Sequence, residues 1–221
     1  MHELKVSVKK VMGRCTANPP VKQGDYFILN DGDISLPEGG FICAWALQSL
    51  IPVLTPKERD SAEDKDADWM WRVHHAQCPD PEGRVIYQIE RTRVVDPDEE
   101  KGHRGKGEVV EPHPSAASSA VDGFDESETS EGGLVNLKIH VESVTGKCTS
   151  RMRPGTTFTL RSGRLYIPPG EHACLYALHA ALPFFGAKQR TLEDGDWMKE
   201  DNRVLCPDPS GNVILRIERM E

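Results

Sequence analysis

Six cysteines carry the reactive chemistry of this 221-residue chain, and they fall into three matched pairs. Gly13-Arg14-Cys15-Thr16 returns as Gly146-Lys147-Cys148-Thr149. Cys43-Ala44-Trp45-Ala46-Leu47 returns as Cys174-Leu175-Tyr176-Ala177-Leu178. Cys78-Pro79-Asp80-Pro81-Glu82-Gly83 returns as Cys206-Pro207-Asp208-Pro209-Ser210-Gly211. Three chemistries compete for such a set. Free cysteine is a small, often buried hydrophobe, and duplication copies core residues as faithfully as site residues. Three thiolates converging in space would bind zinc or an iron–sulfur cluster. A cysteine at a helix N-terminus has its thiolate stabilised by the helix dipole, which would suit Cys43 and Cys174 for redox or nucleophilic work.

The surrounding residues weigh on that choice. There is no Cys-X-X-Cys knuckle, and no histidine recurs: His74 and His75 answer to Asn202 and Arg203, while His172 and His179 answer to Phe41 and Gln48. A fourth metal ligand would have to come from water, the backbone or the other copy. Three cysteines per copy cannot pair among themselves without leaving one over, which speaks against a disulfide framework. Glu90-Arg91 and Glu218-Arg219 read as charges on a solvated strand face, and Asp80 and Asp208 as acceptors for their own turns.

The elements that must position the thiols follow from periodicity. Leu4, Val6 and Val8 alternate with polar residues, as do Leu137, Ile139 and Val141, which predicts a first strand in each copy. Gly24 to Leu29 and Gly155 to Leu160 predict a second. Cys43, Leu47, Leu50 and Ile51 share one helical face, matched by Cys174, Leu178, Ala181 and Leu182, with Pro52 and Pro183 limiting the helix. The Asp68-Trp69 and Asp196-Trp197 pairs predict buried indoles. Each Cys-Pro-Asp-Pro turn leads into a last strand, expected beside the first. The fold class is therefore α+β: two tandem repeats, each a small antiparallel sheet with one main helix.

Domain boundaries come from composition. Residues 1–93 and 134–221 form the repeats, and 94–133 a linker rich in Gly, Pro, Ser and acid. The linker holds 11 Asp and Glu against 3 Lys and Arg, a net charge of −8 that equals the whole chain's. The repeats together are neutral, without the basic excess of a nucleic-acid binder. A flexible segment of about 40 residues spans about 35 Å, enough for two small domains to pack against each other. No apolar run reaches membrane-span length, and an alternating strand begins at once where a signal segment would lie. Cytoplasm is the expected compartment, where thiols stay reduced.

The assembled motifs, Gly-X-Cys (Gly13 to Cys15), Cys-X-X-Ala opening a helix (Cys43 to Ala46), Asp68-Trp69, Cys78 to Gly83 and Ile89-Glu90-Arg91, with their second-copy counterparts, resemble a family of small uncharacterised bacterial and archaeal proteins. Its members usually carry one such unit. The resemblance covers Leu4 to Arg91 and Leu137 to Arg219, and implies a repeat unit in which the thiols matter, with no reaction attached. The expectation is a non-enzymatic binding or interaction protein, its repeats packed as an intramolecular pseudo-dimer around an unknown protein or small-molecule partner. The alternative is a thiol-dependent metal or redox protein using Cys15, Cys43, Cys78, Cys148, Cys174 and Cys206, with zinc or iron as candidate metals.

Overall fold

The computed structural model describes residues 1–17, 19–59, 69–95, 133–200 and 202–220. Most of the expected linker, residues 96–132, lies outside them. In the first half, strands β1 (His2–Val11), β2 (Tyr26–Asn30), β3 (Asp33–Ser35) and the two-residue β4 (Ile42–Cys43) precede helix α1 (Ala44–Glu58). A 3₁₀ turn at Trp69–Arg72, β5 (His75–Gln77) and β6 (Val85–Val94) complete it. The second half runs in the same order: β7 (Asn136–Val144), β8 (Thr157–Arg161), β9 (Arg164–Tyr166), β10 (Ala173–Cys174), α2 (Leu175–Lys188), the short α3 (Trp197–Glu200), β11 (Arg203–Leu205) and β12 (Val213–Met220). The architecture is α+β with antiparallel sheets. No described helix is long and apolar enough to cross a membrane.

First and last strands pair as the alternation suggests, β1 with β6 and β7 with β12. The alternating residues Leu4, Val6, Leu137 and Ile139 are fully buried. Strand β6 runs to Val94, and the Val95 N–H donates to the Met1 carbonyl at 2.8 Å, so the first half extends slightly past residue 93.

The edges of the two sheets are exchanged. One sheet has the order β10-β3-β2-β1-β6-β5 and the other β11-β12-β7-β8-β9-β4. Thus Ile42 and Cys43 pair with Leu165 and Arg164 of the second half, while Ala173 and Cys174 pair with Ile34 and Asp33 of the first. Asp31-Gly32 and Ser162-Gly163, all at positive φ, form the two-residue turns of the β2–β3 and β8–β9 hairpins. Each turn also reaches across: the Gly163 carbonyl accepts the Ala44 N–H and the Gly32 carbonyl accepts the Leu175 N–H, both at 2.8 Å. One half therefore satisfies the first orphan N–H of the other half's helix. Core residues of both halves form a single cluster.

Two expectations fail. Pro52 and Pro183 lie inside their helices, which run on to Glu58 and Lys188. Both prolines are exposed, and so are Gln48 and His179, whose carbonyls lose their partners; water on that face can replace the missing bonds. Trp197 is 60% exposed, whereas Met70, one residue on from the Asp-Trp pair of the first half, is buried.

Candidate functional site

Backbone contacts bring the cysteine motifs of each half together. In the first half the Gly13 and Arg14 N–H groups donate to the Gly83 and Glu82 carbonyls, both at 3.0 Å. In the second, Gly146 and Lys147 donate to Gly211 and Ser210. This approach requires glycine: a Cβ on Gly13 would stand 2.1 Å from the Glu82 oxygen, and one on Gly146 2.0 Å from the Ser210 oxygen. The Cys15 and Cys148 Cα atoms are 3.0 Å from where a Cβ would lie on the turn glycines Gly83 and Gly211. Asp80 accepts from the Glu82 N–H and the Thr16 hydroxyl, and Asp208 from the Ser210 N–H and the Thr149 hydroxyl. Both aspartates bond their own turns, and each also ties its turn to the Gly-X-Cys-Thr segment.

Cys43 and Cys174 are the N-cap residues of α1 and α2 and are buried, like Cys78 and Cys206. Cys15 and Cys148 are half-buried, and all six are free thiols. Neither N-cap cysteine makes a side-chain capping bond of the ordinary kind. The larger sulfur still faces N–H groups of the first turn: those of Ala46 and Trp45 for Cys43, and of Ala177 and Tyr176 for Cys174. These donors favour a thiolate, and burial opposes it.

The balance differs between halves. In the first, Cys15, Cys43 and Cys78 are electrostatic neighbours; burial pushes Cys78 up to about 11 and also raises Cys43. Tyr87, beside all three, is raised chiefly by burial. In the second, Cys174 and Cys206 influence each other's ionisation. Cys206, and then burial, raise Cys174, while Cys174 lowers Cys206 against its own burial.

The exchanged edges add residues that the repeat pattern hides. Opposite Cys43 stands Arg164, only 2% exposed. Its Nη1 donates to the Tyr166 hydroxyl at 3.2 Å, its Nη2 to the Pro19 carbonyl, and its guanidinium carbon sits 4.4 Å from the Phe41 ring centre. Among the described residues its Nε has no hydrogen-bond partner. Burial lowers its pKa, and its charge in turn lowers that of Cys43. Opposite Cys174 stands Asp33. The Ser150 hydroxyl donates to Asp33 Oδ1 and also lies within hydrogen-bonding reach of the Cys174 sulfur. His172 Nε2 donates to the Ser150 carbonyl at 2.5 Å and lies 3.6 Å from Asp33 Oδ2. Asp33 and Arg164 occupy equivalent positions in the two halves, as do Ala17 and Ser150. The sequence signal is therefore a difference between copies.

Space around the thiols is limited. A pocket beside Cys43, also lined by Phe41, Tyr26, Asp25 and Tyr87, has free space of about 10 Å³, room for about one water. Among the described residues, no three or more His, Cys, Asp or Glu side chains are placed so that they could hold a metal ion.

The Ile-Glu-Arg elements serve another purpose. Arg91 donates to the carbonyls of Lys57 and Arg59, and Arg219 to those of Lys188 and Arg190, capping the C-termini of α1 and α2. Lys57 and Lys188, 1% and 2% exposed, reach the Met70 and Met198 carbonyls. Sequence periodicity alone gave no sign of these buried lysines.

No family model matches the chain, and neither a curated protein nor a solved structure matches it.

Proposed function

We propose that this chain is a non-enzymatic, thiol-dependent redox protein, built from two duplicated units locked together as an intramolecular pseudo-dimer. The reading is supported by Cys174, the buried cap of α2 facing Asp33 across the exchanged edge, whose ionisation is linked to that of Cys206. A thiol that donates to a neighbouring sulfur stabilises a thiolate, the attacking species in thiol–disulfide and peroxide chemistry. Two thiols linked in this way are candidates for a reversible disulfide. The test is a free-thiol count on the native protein before and after brief exposure to hydrogen peroxide, then after reduction. Loss of two thiols per chain, restored by dithiothreitol, supports the reading; retention of all six sinks it.

A second reading, an interaction protein presenting a joint surface, is favoured by the reciprocal exchange of edge strands. Trp45 and Tyr176, at equivalent positions in the first turns of α1 and α2, lie over the turn glycines of the opposite half and remain exposed. Exposed aromatics of this kind commonly anchor interfaces. Cutting the chain at a protease site inserted within 96–132 tests the pseudo-dimer on which this reading depends. The halves should co-elute in size-exclusion chromatography, and separation into two species would reject it.

A further inference from the structure

The two hairpin turns that cap the opposite half's helix share a backbone arrangement and differ in charge. Gly32 and Gly163 each accept a first helix N–H from across the exchange at 2.8 Å, Gly32 from Leu175 and Gly163 from Ala44. Three carboxyls gather around Gly32. Asp31 and Asp33 flank it in sequence, and Glu58, 3% exposed at the end of α1, accepts its N–H at 3.1 Å. Tyr176 of α2 closes the turn from the opposite half, its ring 3.3 Å from where a Cβ on Gly32 would stand. Around Gly163 the equivalent positions carry Ser162, Arg164 and Gln189, with no carboxyl among them.

We infer that Glu58 and the Asp31-Gly32-Asp33 turn form a proton-operated latch: with Glu58 protonated it holds β10 and the first turn of α2 on the first half, and with Glu58 ionised it releases them, while the Ser162-Gly163-Arg164 junction stays closed. The groups facing Glu58 set the direction. Asp33 accepts from the Ser150 hydroxyl, and His172 Nε2 lies 3.6 Å from Asp33 Oδ2, so a charge on that imidazole offsets one aspartate. Arg59, next in sequence, favours an ionised Glu58, while Lys57 donates to the Met70 carbonyl and Arg91 of β6 to the Lys57 and Arg59 carbonyls. Burial, opposed by the Gly32 N–H and reinforced by Asp31 and Asp33, pushes the Glu58 carboxyl up to about 7. Above that pH a third negative charge is enclosed beside two others, and water reaches it when α2 parts from the turn. Opening returns Glu58 to the ordinary carboxyl range, so its contribution to closure is fully present below about pH 4.5 and is lost as pH rises to about 7. Strand β10 carries Cys174, so release also uncovers that buried thiol. The latch requires no thiol reaction.

The deciding experiment is amide hydrogen exchange on the full, reduced chain, read residue by residue by NMR at several pH values between 5 and 8. The Leu175 and Ala44 amides make the same bond at the two junctions, so Ala44 serves as the control within each sample. Each protection is taken relative to that amide's own unstructured rate, which removes the base catalysis of exchange. Leu175 protection should fall at least about fivefold relative to Ala44 between pH 5 and 8. Glu58→Gln, which copies Gln189 of the second half, should hold that ratio within about twofold. Asp31→Asn, at a left-handed turn position that asparagine also accepts, should shrink the fall and decides the assignment if the first variant does not fold. A wild-type ratio that stays constant overturns the latch. Equal losses at both amides overturn it too, because pH would then act on the fold as a whole. An undiminished fall in either folded variant overturns the assignment to Glu58 and its turn.

Discussion

Asp33 and Arg164 hold the same position on the two exchanged edges with opposite charge, Asp33 opposite Cys174 and Arg164 opposite Cys43. A true homodimer of one unit would present the same residue twice. The two halves differ at this equivalent position, so one chain carries one anionic and one cationic version of the same junction. The cationic version buries a guanidinium whose hydrogen bonds go to a carbonyl and a phenol. Its desolvation cost is offset by those bonds and by stacking on Phe41.

Arg164 tests whether charge or volume holds this junction. Pro19 is exposed, so its carbonyl can return to water when the guanidinium is removed. Arg164→Met should therefore cost less than about 1.5 kcal/mol, because an apolar chain of similar length removes the desolvation penalty. Arg164→Ala should cost about 3 kcal/mol or more through the cavity it leaves. Urea unfolding of both variants checks this. Equal losses would show that the polar contacts, and not the packing, hold the edge.

The Cys206 thiolate should be visible directly. Thiolate absorbance is expected to rise through a transition below the ordinary thiol range, equivalent to one thiolate per chain. Cys174→Ala removes the group that lowers Cys206 most and should return it to or above the ordinary thiol range, since burial is then opposed only by the Asp208 N–H. A transition that stays below the ordinary thiol range in this variant would mean that another group holds the thiolate.

Glu58 gives the native state a pH dependence of its own. It is 3% exposed at the end of α1, accepts the Gly32 N–H at 3.1 Å, and is pushed up to about 7, first by burial and then by Asp31 and Asp33. The folded protein thus holds a proton more tightly than the unfolded chain. Its contribution is fully present below about pH 4.5 and is lost as pH rises to about 7, an effect on the order of 3 kcal/mol. The second half places Gln189 at the equivalent position. Glu58→Gln should flatten the stability profile between pH 4.5 and 7, measured by denaturant midpoints. An unchanged slope would assign the dependence elsewhere.

The helix faces and the first and last strands were legible because burial imposes a period on residues such as Leu4, Val6, Leu47 and Leu50, and the copies reinforced it. The exchanged edges were not. Ile42-Cys43 and Ala173-Cys174 are too short to show alternation, and their partners lie in the other half, more than a hundred residues away. Matching the copies drew attention to what recurs, so Asp33, Arg164 and Ser150, which matter through not recurring, passed unnoticed. Pro52 and Pro183 misled because the proline rule concerns the backbone bond, while here the freed carbonyls face solvent. Trp197 misled because an indole is large enough to be read as core wherever it follows a turn.

The glycine of the Gly-X-Cys element is the most direct test of how the thiol clusters are assembled. Its Cβ would collide with a backbone oxygen of the Cys-Pro-Asp-Pro turn, at 2.1 Å for Gly13 and 2.0 Å for Gly146, and a backbone atom in a hydrogen-bonded turn cannot swing away as a side chain could. Gly146→Ala should therefore cost about 1 to 3 kcal/mol and also loosen the turn that carries Cys206. The expected signature is joint: a lower denaturant midpoint, and a Cys206 transition moved upward as Cys206 shifts relative to Cys174. Gly13→Ala should lower stability to a similar degree and leave that transition in place, because its clash lies in the other half. A Gly13→Ala variant that moved the Cys206 transition as far as Gly146→Ala would show that the two clusters are coupled through the shared core.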